Sequence, residues 1–316
     1  MITPVSVTVD IGGTNTRVAL CDDGEVLTDT IQRYRNAEHP GLEPILDAYL
    51  SAHPLVGAIC VDMAGPVKDG VGTLTNLDWT IDARALSART GGARVVVLND
   101  LQAQGHSVPH LDADSLLTLM PGQPAPSDVR LVVNVGTGLN AVPVHTSGTL
   151  TLVPAAEAGH IALQARDTEE LRLVDWMNAR IPSSGMEEIL SGRGLENLDE
   201  FIGDGANRRE AATVMEAYAA GEDRARKAAK LFVRYLGRYA GDLALTTLPF
   251  GGVFLVGGVT RHLGPHLMEL GFAEAFRDKG RFAAFMEQFP VHLVTDDYAA
   301  LRGCAAHLHE LQTATN

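Results

Sequence analysis

Cysteine is scarce in this chain. Its three residues, Cys21, Cys60 and Cys304, are odd in number and widely spaced, and none belongs to a C-x-x-C pair. That pattern excludes a disulfide framework and the usual cysteine zinc sites, and predicts reduced thiols. Basic charge is short as well: the formal net charge is −14, and no cluster of Lys and Arg with interleaved aromatic residues occurs. The electrostatic term that drives nucleic-acid binding is therefore missing. The same negative field repels a nucleotide unless its site supplies backbone donors and a metal ion. No apolar stretch reaches bilayer length, and the first residues lead into a strand without a basic and then apolar leader, so neither a membrane anchor nor export is expected and the cytosol is the default compartment. The Walker pattern is absent too.

What remains is an ordinary globular composition, 46% apolar and 20% charged over 316 residues, a length that favours two domains with a cleft between them. The chain is organised around Val5-Ser-Val-Thr-Val-Asp-Ile-Gly-Gly-Thr-Asn-Thr-Arg17. Val5, Val7 and Val9 repeat at the strand period, and Val18-Ala-Leu20 resumes an apolar run after the glycines, which predicts a buried β-hairpin. Without Cβ atoms, Gly12 and Gly13 let backbone N–H groups approach phosphate oxygens, and Thr14 adds a hydroxyl. A plain Gly-Gly hairpin turn is the competing reading; the acid Asp10 before the turn and the Thr-Asn-x-Arg after it favour chemistry.

Further along, Glu25–Ile31 reads as a third strand and Leu42–Leu50 as an amphipathic helix. The short apolar runs 55–61 and 93–98 read as strands covered on both faces, which makes the first domain α/β. Pro109 and the loop Pro121–Ser127 punctuate the middle, and a boundary is expected near residues 105–112. Val129-Arg-Leu-Val-Val-Asn-Val-Gly-Thr-Gly-Leu-Asn140 repeats the scheme of strand, glycine turn and threonine, suggesting two related halves. Residues 168–248 are predicted mostly helical, with a long helix from Asp223 to about Leu248. Phe250–Gly258 brackets one more buried strand between glycine pairs, and Tyr298–Leu311 reads as a helix.

Three glycine turns, at Gly12-Gly13, Gly136-Thr137-Gly138 and Gly257-Gly258, suit a nucleotide held between two domains without a Walker loop. Asn99-Asp100 follows the strand 93–98 at the carboxyl end, where open α/β sheets place ligands. An acid there can serve as a base, although taken alone Asp100 reads better as the N-cap of a helix starting near Leu101. Glu157-Ala-Gly-His160 has the Glu-x-x-His spacing of a di-metal ligand motif, but that motif needs a second copy and the chain has none. A structural histidine and a pair gripping vicinal hydroxyls both remain open. Glu187 reads on its own as a first-turn helix acid.

Together, Asp10-Ile-Gly-Gly-Thr-Asn-Thr-Arg17, Thr75-Asn-Leu-Asp-Trp79, Asn99-Asp100, Gly136-Thr-Gly-Leu139, Glu157-Ala-Gly-His160, Glu187 with Leu190-Ser-Gly192, and Gly251-Gly-Val-Phe-Leu-Val-Gly-Gly258 closely resemble the bacterial glucokinase family. Phe276-Arg-Asp-Lys-Gly-Arg-Phe282, outside any expected site, extends the resemblance over nearly the whole chain. The resemblance implies a two-domain α/β fold of the actin-like ATPase, or ribonuclease H-like, kind with an interdomain cleft. The small domain would be residues 1–108, joined by a C-terminal helix at about 297–316, and the large domain residues 109–296. It implies ATP-dependent phosphorylation of glucose at the 6-hydroxyl in the cytoplasm, as a step of glycolysis, by a homodimer. Asp100 would be the general base, with Asn99, Asp100, Glu157, His160 and Glu187 on the sugar. Asp10, Gly12, Gly13, Thr14, Asn15, Gly136, Thr137, Gly138, Gly257 and Gly258 would serve the nucleotide, and Mg²⁺ would ride on its phosphates without a protein ligand set of its own.

Three departures qualify that picture. Ala156-Glu-Ala-Gly-His160 stands where the family usually has Gly-Glu-Gly-Gly-His, which leaves another hexose as an alternative substrate. Asn134 and Asn140 replace glycines, and Asn134 is expected to take a glycine-like backbone with positive φ. Residues 161–166, Ile-Ala-Leu-Gln-Ala-Arg, lack the cysteine-rich zinc motif of the repressor/kinase relatives, so no structural zinc is expected there. A sugar sensor on the same fold is a third reading; sensors of that type usually carry a DNA-binding segment before the first strand, and here only Met1–Pro4 precede it.

Overall fold

Strand periodicity in the first residues is realised as a sheet covered on both faces. In the computed structural model, which describes residues 5–53, 55–74, 77–123 and 129–314, the strand Val5–Ile11 pairs antiparallel with Asn15–Asp22, Asp10 lying opposite Arg17. Its other edge runs parallel to Val56–Met63, Asp10 beside Asp62, and that strand runs parallel to Arg94–Asn99. Val7, Val9 and Ile11 pack with Leu42, Ile45 and Leu46 of the helix Leu42–Leu50. On the opposite face Ala19, Ala58 and Cys60 meet Ala300, Leu301, Cys304 and Ala305 of the helix Ala299–Thr313. Small side chains on both partners let that helix approach the sheet closely, and the three cysteines are buried thiols in this layer. Burial pushes the Cys21 thiol up to about 12, so it is an inert packing group.

Two compact units result. The first comprises Met1–Asp112, Val144–Ala155 and Asp296–Asn316; the second comprises Ala113–Pro143 and Ala156–Thr295. The second unit is built on strands Leu116–Met120, Val291–Val294, Val253–Val256, Val129–Val135 and the start of Leu139–Ser147, in that spatial order; Leu150–Leu152 falls in the first unit. The helix Asp223–Thr247 packs an apolar stripe that includes Phe232, Tyr235 and Leu236 against this core. A Cβ on Gly241 would lie 2.5 Å from the Phe276 carbonyl oxygen, so the crossing with helix Phe272–Arg277 requires glycine. Leu248 ends the long helix in a left-handed conformation with φ of 50°, and Pro249 follows, which cannot continue the helical hydrogen bonding.

The helix Leu42–Leu50 and the strands Val56–Met63, Arg94–Asn99 and Val253–Val256 lie where the apolar periodicity puts them. The expected strand Glu25–Ile31 does not form as such. Pairing stops after Glu25–Val26, and Thr28–Thr30 is a 3₁₀ turn because the Thr30 hydroxyl accepts the Leu20 N–H at 3.0 Å and donates to the Leu27 carbonyl at 2.6 Å. A side chain has taken over hydrogen bonding that a strand would make. Gln32–Arg35, whose polar letters hide a strand, pairs antiparallel with Asn15–Val18 instead. Thr75 and Asn76 of the resemblance, and residues 124–127 of the loop Pro121–Ser127, lie outside the described residues; Trp79 is a core residue of the first unit.

Candidate functional site

In the first unit, the glycine turn is held from behind by a residue that the sequence did not single out. Asn36 is almost fully buried, at 2% exposure. Its Nδ2 donates to the Gly12 carbonyl at 2.7 Å, its backbone N–H donates to the Thr14 carbonyl at 3.0 Å, and its Oδ1 accepts the Thr16 hydroxyl at 2.8 Å. The turn's carbonyls are thus engaged from the protein side, while Gly13 and Thr14 are exposed. Neither Gly12 nor Gly13 takes positive φ; their use is the missing Cβ, which on Gly12 would sit 3.3 Å from the Asn15 carbonyl oxygen.

Three acids lie along the strand ends beside it. Asp10 accepts the Arg17 guanidinium at 2.6 Å; burial raises its pKa and the Arg17 charge opposes the rise. Asp62, absent from the sequence-based site, is completely buried. Burial, then the charges of Asp10 and Asp100, hold its pKa well above the usual carboxylate range. Its Oδ2 accepts the Cys304 thiol at 3.4 Å, and Oδ1 has no ordinary donor. Asp62 therefore holds its proton more tightly than an exposed carboxyl does. An acid inside an otherwise continuous apolar run was the available signal for it.

The helix Asp100–Ser107 is capped by Asn99, not by Asp100. The Gln102 N–H donates to Asn99 Oδ1 at 2.7 Å, and Gln102 Oε1 accepts the Asn99 N–H at 3.3 Å, completing a capping box. Asp100 is half-buried in the first helical turn, with Oδ1 accepting the Leu101 N–H at 2.9 Å. The capping role that the sequence offered to Asp100 belongs to its neighbour, and the Asp100 carboxylate stands at the positive end of the helix.

In the second unit, the loops around Gly136, Glu157 and Glu187 are tied into one body. The Gly136 N–H donates to the Gly138 carbonyl, and the Gly192 N–H to the Gly136 carbonyl, both at 2.9 Å. Glu187 Oε2 accepts the Leu139 N–H at 2.9 Å, and a Cβ on Gly138 would lie 2.8 Å from that oxygen. Glu187 also pairs with Arg193 at 3.3 Å; it sits in a 3₁₀ turn, Met186–Glu188, and not in an α-helical first turn. Glu157 and His160 are exposed around the short turn Ala158–His160. That loop is clamped by Asn140, whose Nδ2 donates to the Ala156 carbonyl at 2.5 Å and whose Oδ1 accepts the Ala158 N–H at 2.9 Å. One of the two extra methyls, that of Ala158, packs against the core. The Met186 N–H donates to the Ile161 carbonyl at 2.8 Å, fastening the Glu187 turn to the His160 loop.

Asn134 corrects an expectation. It has no positive φ; it is a regular strand residue in register with Val256. The left-handed backbone falls instead on Gly257, with φ of 102°, where a Cβ would lie 2.3 Å from the Val135 carbonyl oxygen and 2.5 Å from Asn134 Oδ1. The turn at Gly257-Gly258 therefore lies against the strand that leads into Gly136, and the second and third glycine turns are neighbours.

The family model described as Glucokinase matches residues 7–311. The glucokinase of Cronobacter sakazakii is 32% identical over 310 residues, covering 95% of this chain and 96% of that protein. Among solved structures, a glucokinase from an Antarctic psychrotroph superposes with a TM-score of 0.88 at 29% identity, covering 98% of this chain and 99% of the other. A glucokinase from Balamuthia mandrillaris in complex with glucose superposes with a TM-score of 0.78 at 23% identity, covering 97% and 93%.

Proposed function

The chain belongs to the glucokinase family, and from that premise we propose that Asp100 is the base that takes the 6-hydroxyl proton of glucose as the hydroxyl oxygen attacks the γ-phosphorus of ATP. The enzyme phosphorylates glucose with ATP, and its fold is the two-domain actin-like ATPase fold of its structural relatives. In the proposed step the glucose O–H bond breaks with its proton passing to an Asp100 oxygen, a new O–P bond forms, and the bond from the γ-phosphorus to the departing ADP oxygen breaks. The observation that carries the assignment is the place of Asp100, directly after the parallel strand Arg94–Asn99 and in the first turn of the helix Asp100–Ser107. Asn99 makes the capping box, and the Asp100 carboxylate stands beside it at the carboxyl end of a parallel strand, where open α/β sheets place their ligands.

Asn99, Glu157, His160 and Glu187 would hold the sugar's hydroxyls, the carboxylates accepting and the amide and imidazole able to donate. Gly12, Gly13, Thr14 and Asn15 would receive phosphate oxygens on the turn that Asn36 braces. Gly136, Thr137 and Gly138 would do the same on their unit, with Gly257 and Gly258 toward the adenosine. The oxygen donors Asp10 and Asp100 fit a hard ion such as Mg²⁺, reached through water, while fully buried Asp62 stays out of that set. Bound with the nucleotide, Mg²⁺ supplies neutralisation of the charge that develops on the phosphates. A homodimer in the cytoplasm belongs to the same reading; no helix among the described residues is long and apolar enough to cross a membrane.

A 6-deoxyglucose probe tests the reading. It should compete with glucose for binding and support no phosphoryl transfer, while glucose should yield only the 6-phosphate. Phosphorylation at another hydroxyl, or ATP turnover on the deoxy sugar, would overturn it.

A further inference from the structure

The helix Asp100–Ser107 and the C-terminal helix Ala299–Thr313 cross at Gly303. A Cβ on Gly303 would lie 1.8 Å from the Ala103 carbonyl oxygen, and one on Gly105 would strike the Val153 side chain at 2.5 Å. This close crossing sets His106 against His307, four residues beyond Gly303 on the same helical face, with Glu310 one turn further. The imidazole centroids are 4.1 Å apart, and His106 Nδ1 lies 3.9 Å from Glu310 Oε2. His106 is 3% exposed and Glu310 is 7% exposed. Nδ1 of His106 and Nδ1 of His307 are both buried without a hydrogen-bond partner, an arrangement that costs free energy unless something engages those lone pairs.

We propose that His106, His307 and Glu310 form a binding site for a borderline divalent transition ion such as Zn²⁺, which fastens the C-terminal helix to the helix that begins at Asp100. Among the described residues this is the group of His, Cys, Asp or Glu whose ligand atoms all lie within 4.8 Å of one another. Tetrahedral Zn²⁺, with bonds of about 2.0–2.1 Å, sets its ligand atoms about 3.3 Å apart, so side-chain adjustment of about 1.5 Å or less completes the site. Two imidazoles and one carboxylate are a donor set for zinc, whereas Mg²⁺ and Ca²⁺ prefer oxygen throughout. Metal binding also requires the imidazoles neutral. The Nδ1 atoms of His106 and His307, buried without hydrogen-bond partners, present their lone pairs to the cluster. The Thr151 N–H already orients Glu310 Oε2 at 3.3 Å, an outer hydrogen bond of the sort that fixes ligating carboxylates. A divalent cation would offset the cost of burying the Glu310 carboxylate.

The test is competition for Zn²⁺ between a chromophoric chelator and the full-length protein stripped of metal, read beside thermal unfolding. One Zn²⁺ per chain should bind more tightly than about 1 μM, and Zn²⁺ should raise the unfolding temperature, since a ligand of the folded state stabilises it. His307→Gln and Glu310→Gln, at the less confined positions, should each weaken binding at least about 100-fold and abolish the thermal shift while the metal-free proteins unfold cooperatively. Cobalt(II) added to the native protein should give the visible bands of a tetrahedral site, absent from both variants. Failure to bind one equivalent at that affinity, or undiminished binding by either variant, would overturn the proposal. Steady-state activity plays no part in these readouts, so the result stands apart from the assignment of Asp100.

Discussion

Replacing Asn140 by glycine would restore the residue common in the family and yet should damage glucose binding. The side chain donates to the Ala156 carbonyl at 2.5 Å and accepts the Ala158 N–H at 2.9 Å, flanking Glu157 on both sides. Each such bond contributes a net of about 0.5–1.5 kcal/mol, so losing both frees the loop by about 1–3 kcal/mol. If ordering Glu157 and His160 must then occur on binding, the KM for glucose rises by about 5- to 150-fold, at tenfold per 1.4 kcal/mol. The kcat should change less than about threefold, because Asp100 lies on a separate element and saturating glucose restores the bound loop. Asn140→Asp replaces the amide donor with an oxygen facing the Ala156 carbonyl and should be no better than glycine. Initial rates across glucose concentration, with isothermal titration of glucose to each variant, check the expectation. An Asn140→Gly enzyme whose KM for glucose stays within about twofold of the native value, even with lower thermal stability, would refute the link between this clamp and the sugar.

Two further outcomes follow from the same geometry. Gly257→Ala should lose at least about 2 kcal/mol in urea unfolding, because φ is 102° and the new methyl would lie 2.3 Å from the Val135 carbonyl oxygen; native-like stability would show that the turn can move aside. Asp62 has a raised folded pKa, so the folded state holds a proton that the unfolded chain gives up near the ordinary value of 3.8. Its contribution therefore falls as pH rises above that value and reaches its full penalty once pH exceeds the folded pKa. Asp62→Asn should remove this slope: its stability relative to the native protein should improve from about pH 4 to about pH 8, and parallel urea midpoints across that range would count against a protonated Asp62.

Much of the fold was legible because it rests on local patterns. Alternating valines, the stripe of Leu42–Leu50 and the run before Asn99 each carry their own period. The strand Gln32–Arg35 was not legible, because its pairing with Asn15–Val18 is decided by a partner and not by its own polar letters. The same division runs through the site. Glycine pairs and acids after apolar runs advertise turns and strand ends, so the residues singled out from sequence lie on such features. Asn36 and Asn140 serve through contacts to other segments, 24 residues away for Asn36 and Gly12 and 16 for Asn140 and Ala156, and separations of that length leave no local pattern for the role, whereas Asp62 is marked only as an acid inside an apolar run. Asn134 shows the converse error. A residue replacing a glycine suggested a special backbone, but the strain falls on Gly257 of the adjoining turn, and Asn134 contributes a side-chain oxygen against it.

Whether Asp100 is the base is decided most directly by single-turnover phosphoryl transfer in Asp100→Asn, with glucose affinity measured on the same preparation. Asparagine preserves the shape and the acceptor for the Leu101 N–H at 2.9 Å, so the helix end should persist and glucose should bind within about tenfold of the native affinity. The transfer rate should fall by about 10²–10⁴, equivalent to about 2.7–5.5 kcal/mol of lost transition-state stabilisation. A variant that binds glucose normally and transfers phosphate within about fivefold of the native rate would contradict the assignment.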